Sequence, residues 1–349
     1  MTENKKKIVN KIEDITDERA VGYAIANRDF VDYLSEYRAI VRKRINRDKV
    51  FILGCSGSGC EPLNIGYVGY GSLDAVCDGQ VFTAPSAYSI FQLLQRYCNE
   101  NGAVVLSGNY DGDFMNNDMA IEMMSLEGKE VLSIYIRDDI GVSINDRSKR
   151  GGVAGIFFAA KILGAASELG YKLKDFQELK YKLENNLFTM TATLESGSFP
   201  GTGTLMGVVN DGEVEYGKGF NGEKGVLSEP LPSADELTDT VLEYIRKDMD
   251  LQKDEEVCVL VNGLGATSLM ELYVIMKRVG NRMDEMNVKI HGSKVGNIHP
   301  VQETKGFSIT LIRLDEELKR LYGFPMFTPY FSMINNEDLE KYVIEKYKK

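Results

Sequence analysis

Short apolar runs that stop abruptly at glycine- or aspartate-rich turns recur along the chain. They are Val50-Phe51-Ile52-Leu53 before Gly54, Val104-Val105-Leu106 before Gly108, the stretch 131–136 before Asp138-Asp139, and 257–261 before Asn262. Runs this short and nearly apolar throughout suit strands covered on both faces. Between them, apolar residues recur with helical spacing over 89–97, 115–124, 153–169 and 268–286. Strand, turn and helix in alternation predict an α/β fold with helix-covered, largely parallel or mixed sheets, parallel order being expected at their centre.

A chain of 349 residues is long for a single core, and two α/β domains are expected. The texture shifts to small, β-prone and glycine-rich segments at about residues 185 to 195. That places an N-terminal domain over 1–190 and a C-terminal domain over 191–349. Forty-one basic against 52 acidic side chains give a net charge of −11, which argues against a direct grip on nucleic acid or an anionic membrane. Five cysteines, at 55, 60, 77, 98 and 258, follow no metal-ligand spacing and read as reduced thiols of a cytoplasmic protein. No apolar run approaches the roughly 18 residues of a membrane span, and the charged first residues do not resemble an export signal. With only His291 and His299 in the chain, a histidine-rich metal site or a Ser-His-Asp triad is disfavoured.

In α/β sheets, ligands gather beyond the carboxyl ends of the strands, where turns expose backbone N–H groups. The segment Gly54 to Pro62 follows such a strand and carries Gly57 and Gly59 beside Ser56 and Ser58, so its backbone can approach a small ligand closely. A plain strand-to-helix turn explains the same residues. Asn109-Tyr110-Asp111-Gly112-Asp113 ends in a carboxylate that can take a proton from a hydroxyl, or else cap a helix starting near Phe114. Thr267-Ser268, at a third turn, fits helix capping better than a phosphate cradle.

Several of these stretches resemble one family. Gly57-Ser58-Gly59-Cys60-Glu61-Pro62, Asn109 to Asp113 and Gly219-Phe220-Asn221-Gly222-Glu223-Lys224-Gly225 are similar to the GGGSGHEP, NYxGD and GxHGEPG loops of the dihydroxyacetone kinase family, in its substrate-binding subunit DhaK. Segments 150–155, 262–272 and 306–311 resemble the framework motifs RRGxAG, NNLGxTSxxEL and GFSxTL, and the similarity runs from about Val21 to about Pro329. In the family, the histidine of the third loop holds the ketone carbon as a hemiaminal and that of the first assists the hydroxyl chemistry. Here they stand as Asn221 and Cys60, and the family's pocket lysine stands as Gly108. An amide nitrogen, delocalised into its carbonyl, is too poor a nucleophile for a hemiaminal.

The resemblance implies a homodimeric kinase-like subunit that binds a small ketose or polyol without a covalent link, its activity weakened or altered. Asp113 would be the catalytic residue, with Ser56, Gly57, Ser58, Cys60, Gly108 and Asn221 around the substrate. No cofactor is expected in this chain; ADP or ATP with Mg would sit on a separate DhaL-type subunit. The alternative is an inactive paralogue serving as a ligand sensor or as co-activator of a transcription regulator. A third reading makes Cys60 a thiolate nucleophile, favoured if a helix follows it, against the ordinary role of a small buried filler. Lys224 reads as a solubilising side chain, and His299, in a segment that departs from the family pattern, receives no role.

Overall fold

The apolar runs become strands of two six-stranded sheets in a computed structural model, which describes residues 7–200, 202–220 and 222–347. The helices are α1 (Ile15–Ala26), α2 (Ala87–Tyr97), α3 (Asp111–Leu126), α4 (Ile156–Glu168), α5 (Asp175–Asn186), α6 (Ala234–Met249), α7 (Leu269–Glu285), α8 (Glu316–Gly323) and α9 (Asn336–Tyr347). The first sheet holds β1 (Val31–Leu34), β2 (Ala39–Arg42), β3 (Phe51–Ser58), β4 (Ala75–Val81), β5 (Ala103–Gly108) and β6 (Val131–Ile136), in the order β1-β2-β4-β3-β5-β6. Its β4-β3-β5-β6 portion is parallel, with β1 and β2 antiparallel along one edge. The second sheet holds β7 (Leu187–Glu195), β8 (Glu213–Tyr216), β9 (Leu227–Pro230), β10 (Glu256–Gly263), β11 (Lys289–Gly296) and β12 (Lys305–Arg313), in the order β11-β10-β12-β7-β8-β9.

Only β10 and β11 run parallel in that second sheet, so it is mixed, with antiparallel pairs at its centre. Parallel neighbours need a crossover, and α7 supplies one between β10 and β11. By contrast β7, β8 and β9 follow one another as a meander of antiparallel neighbours. The parallel centre expected from the apolar runs is therefore confined to the first sheet.

Alternation along the strands sorts side chains into layers. Phe51, Leu53, Ala103 and Val105 face α2 and α3, whereas Ile52, Val104 and Leu106 face the opposite way, towards α4. Residues 156–167 of α4 are all buried, the signature of a helix that is apolar on every side because it is covered on every side. Its cluster also takes in Cys258, Leu260 and Ile312 from β10 and β12, while Val257, Val259, Ile309 and Leu311 turn outward under α6 and α7. The sheets thus share one inner helical layer, α4 with α5. Strand β7 straddles the boundary drawn between 190 and 191, and Leu321, Met326 and Phe331 return to the cluster of Phe157. Among the described residues no helix is long and apolar enough to cross a membrane.

A basic side chain sits in the inner layer. Lys161 is fully buried, donates to the Leu321 carbonyl at 2.8 Å, and is pushed by burial from 10.5 down to about 7. Between those values the unfolded chain binds a proton that the native state does not, so this lysine makes stability rise with pH. Lys161→Met is expected to remove that slope. Urea unfolding of both proteins should show the variant's advantage greatest at about pH 7 or below and shrinking towards about pH 10.

Candidate functional site

Strand β3 runs through Gly54 to Ser58, so most of the segment expected as a loop is paired with β4. Gly57 is required there: a Cβ would lie 2.7 Å from the Thr83 amide nitrogen and 3.0 Å from its carbonyl oxygen. The β3–β4 register is irregular between Ser56 and Ser58, which breaks the alternation of faces. Ser56 consequently lines the cavity described below, while Ser58 turns to the Thr16 hydroxyl at 3.3 Å and does not. The following turn is pinned by Gly59 N–H donating to Glu61 (3.0 Å), by Arg19 on Glu61 (2.8 Å), and by Gln302 donating to the Gly59 carbonyl (3.0 Å).

Cys60 is half-buried and precedes no α-helix, only the 3-10 turn Ile65–Tyr67. Burial, and then the negative charges of Glu61 and Asp78, push its thiol up. The helix that would have favoured a thiolate is missing, and the small-filler reading fits the observed surroundings.

Strand β5 ends at Gly108, and α3 begins at Asp111 with Tyr110 as its cap residue. Asp113 therefore lies within the first turn rather than ahead of it, and it does not serve as the N-cap. Its side chain is buried, Oδ1 has no hydrogen-bond partner among the described residues, and burial raises the carboxyl from 3.8 to about 7. One turn on, Asn117 is fully buried with neither amide atom bonded among the described residues. A Cβ on Gly108 would meet the Tyr110 ring at 2.9 Å and the Gly152 carbonyl oxygen at 3.1 Å. The tyrosine ring lies against Gly108, and its hydroxyl donates to the Gly152 carbonyl (3.2 Å).

Asn221, expected at the tip of the 219–225 loop, lies outside the described residues. On either side of it the loop is held by Gly222 N–H on the Gly219 carbonyl (3.1 Å) and Gly225 N–H on Glu215 (2.7 Å), and Lys224 is exposed. Phe220 is buried and meets the ring of His299 edge-on, 4.8 Å between centroids. His299 is the residue that sequence reasoning missed. Its main chain is gripped by the buried amide of Asn262, which accepts from Ile298 N–H (2.9 Å) and His299 N–H (2.8 Å) and donates to the His299 carbonyl (2.9 Å) and to Ser308 (3.1 Å). Tyr67, from the first half of the chain, donates to the Ile298 carbonyl at 2.9 Å. Burial pushes the imidazole down to about 3.

These elements enclose a cavity of about 130 Å³, lined by Ser56, Gly57, Cys60, Leu63, Phe82, Ala84, Gly108, Tyr110, Gly112, Asp113, Gly152, Ile156, Phe220 and His299. A water-sized group needs roughly 10–15 Å³ on such a measure, so the space suits a molecule of a handful of heavy atoms. Five expected positions, Ser56, Gly57, Cys60, Gly108 and Asp113, meet here. Among the described residues, no lysine or arginine lines the cavity, and no group of three or more His, Cys, Asp or Glu could hold a metal ion. A second acid unforeseen from the sequence secures one wall: Asp138 accepts from Val153 and Gly155 N–H (2.8 Å each) and from the Thr189 hydroxyl. Thr267 and Ser268 are committed internally, the first to Gly306 and the second to a capping box with Glu271, which leaves no phosphate cradle.

Among known proteins, the Dak1 domain matches residues 21–330. The chain is 36% identical to the "PTS-dependent dihydroxyacetone kinase 2, dihydroxyacetone-binding subunit DhaK" of Listeria innocua, over 94% of this chain and 99% of that protein. It is 31% identical to the "PEP-dependent dihydroxyacetone kinase, dihydroxyacetone-binding subunit DhaK" of Escherichia coli, over 93% and 98% respectively. A solved structure titled "Dihydroxyacetone kinase operon co-activator Dha-DhaQ" superposes with a TM-score of 0.87 at 27% identity, covering 93% of this chain and all of that one.

Two stability measurements check this geometry. Asn262→Ala strands three main-chain groups at 298–299, and chemical denaturation should show a loss on the order of 3 kcal/mol. Asp113, raised by burial, contributes stability below its unfolded value that is lost as pH climbs through about 7. Asp113→Asn should match the wild type near pH 4 and exceed it by on the order of 3 kcal/mol above pH 7, read from unfolding midpoints across that range.

Proposed function

The chain belongs to the Dak1 family as a DhaK-like subunit, and on that premise we propose that its cavity holds a small ketose or polyol by hydrogen bonds alone, for phosphorylation by a separate nucleotide-carrying subunit. One observation carries the reading: a buried Asp113 carboxyl in the first turn of α3, its Oδ1 without a partner among the described residues, in a cavity sized for a few heavy atoms. A carboxyl titrating near 7 is suited to accept a hydroxyl proton as that oxygen attacks phosphorus. Ser56, Gly57, Cys60 and Gly108 shape the space around it, and Asn221 belongs to the loop whose neighbour Phe220 forms the far wall. The raised Cys60 thiol supports a non-nucleophilic role for that residue. With Asn221 unable to form the family's hemiaminal, and glycine at 108 where the family has its pocket lysine, a weakened or altered kinase is the form this reading takes.

A second reading, a catalytically silent ligand sensor that binds a transcription regulator, is favoured by the likeness to the co-activator structure. Reduced cytoplasmic thiols, supported by the five free cysteines, and a homodimer, carried over from the family resemblance and checked by sedimentation velocity, accompany either reading.

Calorimetry with dihydroxyacetone, erythrulose and glycerol tests the cavity, and reconstitution with a purified nucleotide-carrying subunit of a DhaK-type kinase tests transfer. Asp113→Asn should lower transfer by about 10²–10⁴-fold while shifting the dissociation constant by less than about tenfold. Binding without transfer, together with pull-down of a regulator, would favour the sensor. No heat with any of the three compounds would remove both readings.

A further inference from the structure

Two polar side chains of the cavity keep bonding capacity that the protein does not use. Ser56 spends its hydroxyl on the Gly57 carbonyl (3.2 Å) and Tyr110 on Gly152 (3.2 Å). Asp113 Oδ1 and His299 Nδ1 are buried without a partner among the described residues, and His299 is only 3% exposed. Leaving such an atom unbonded costs about 1–3 kcal/mol, which a bound ligand can relieve by supplying the missing bond. The ring also has a main-chain hydrogen bond of its own, with Val153. Asn262 fixes the main chain on both sides of it, and Phe220 packs edge-on against one side.

We propose that His299 is a ligand-contacting residue of this chain, its imidazole hydrogen-bonding one hydroxyl of a small polyol or hydroxyketone whose other hydroxyl meets Asp113. The inference rests on the proposed binding role of the cavity and adds a residue in a segment where this sequence departs from the family pattern. A neutral imidazole offers one donor and one acceptor; with the ring already bonded to the Val153 main chain, Nδ1 is left for a hydroxyl of the ligand. Burial keeps it in that form at neutral pH. Because the described lining residues include no lysine or arginine, the pair selects uncharged polyhydroxy compounds over their phosphate esters.

The chain's two histidines make a direct test practical. With ¹⁵N-labelled imidazoles in the full-length wild-type protein, and resonances assigned through a His291→Gln variant, saturation with dihydroxyacetone should move the His299 ring nitrogens and leave those of His291 in place. His299→Leu should weaken dihydroxyacetone binding, measured by calorimetry, by at least about tenfold. The wild-type resonances carry the test if that variant does not fold. Heat of binding with unmoved His299 resonances overturns this inference and leaves the binding role of the cavity standing. An absence of heat in the wild type overturns both, and a protein mass increased by a covalently retained ketose overturns the hydrogen-bonded form.

Discussion

The side chain of Asn262 is the interaction on which the site depends. At the carboxyl end of β10 it makes four hydrogen bonds from a fully buried position, three of them to the main chain of residues 298 and 299. Such a group stabilises only when fully satisfied, and here both ends of the amide are used. The consequence is a segment of the second half of the chain held rigidly over strand ends of the first, with Tyr67 closing the same junction from the other side. A cavity formed by two halves of a protein needs this kind of fastening, because its shape would otherwise follow every small motion between them.

A single physical cause, removal from water, then sets the chemistry inside. It raises Asp113 and Cys60 and lowers His299, in each case favouring the uncharged form. Only Asp113 is left to titrate near neutrality. A space lined by a neutral imidazole, a protonated thiol and a carboxyl of near-neutral pKa has little electrostatic pull on ions, and its affinity must come from hydrogen bonds and close packing. Gly57 and Gly108 serve that packing by letting the Thr83 backbone and the Tyr110 ring come close.

Much of the architecture could be read in the chain. The runs at 51–53, 104–106, 131–136 and 257–261 are strands, the stretches with helical spacing are α2, α3, α4 and α7, and the turn ending in Asp113 stands at a strand terminus, where α/β proteins place their ligands. Local patterns do not carry the rest. Gly54 to Ser58 has the composition of a turn yet extends β3, because pairing with β4 outweighs local preference. Asp113 sits inside α3 because the helix starts at Asp111, within the usual uncertainty of an end read from sequence. His299 and Asp138 depend on partners far away in the chain, Asn262 for one and Thr189 for the other, and no spacing rule announces contacts of that kind. Asn117 did leave a trace, four residues after Asp113 on the same helical face.

The inner layer of α4 and α5 carries a consequence for how this molecule could be divided. Cut at any point between the sheets, each fragment would present an uncovered apolar face, Ile52 and Val104 on one piece and Leu260 and Ile312 on the other. Each sheet therefore depends on the shared helical layer for cover on its inner face. Access to the cavity cannot rely on hinge-like parting of the sheets, since that would tear open the interior they have in common.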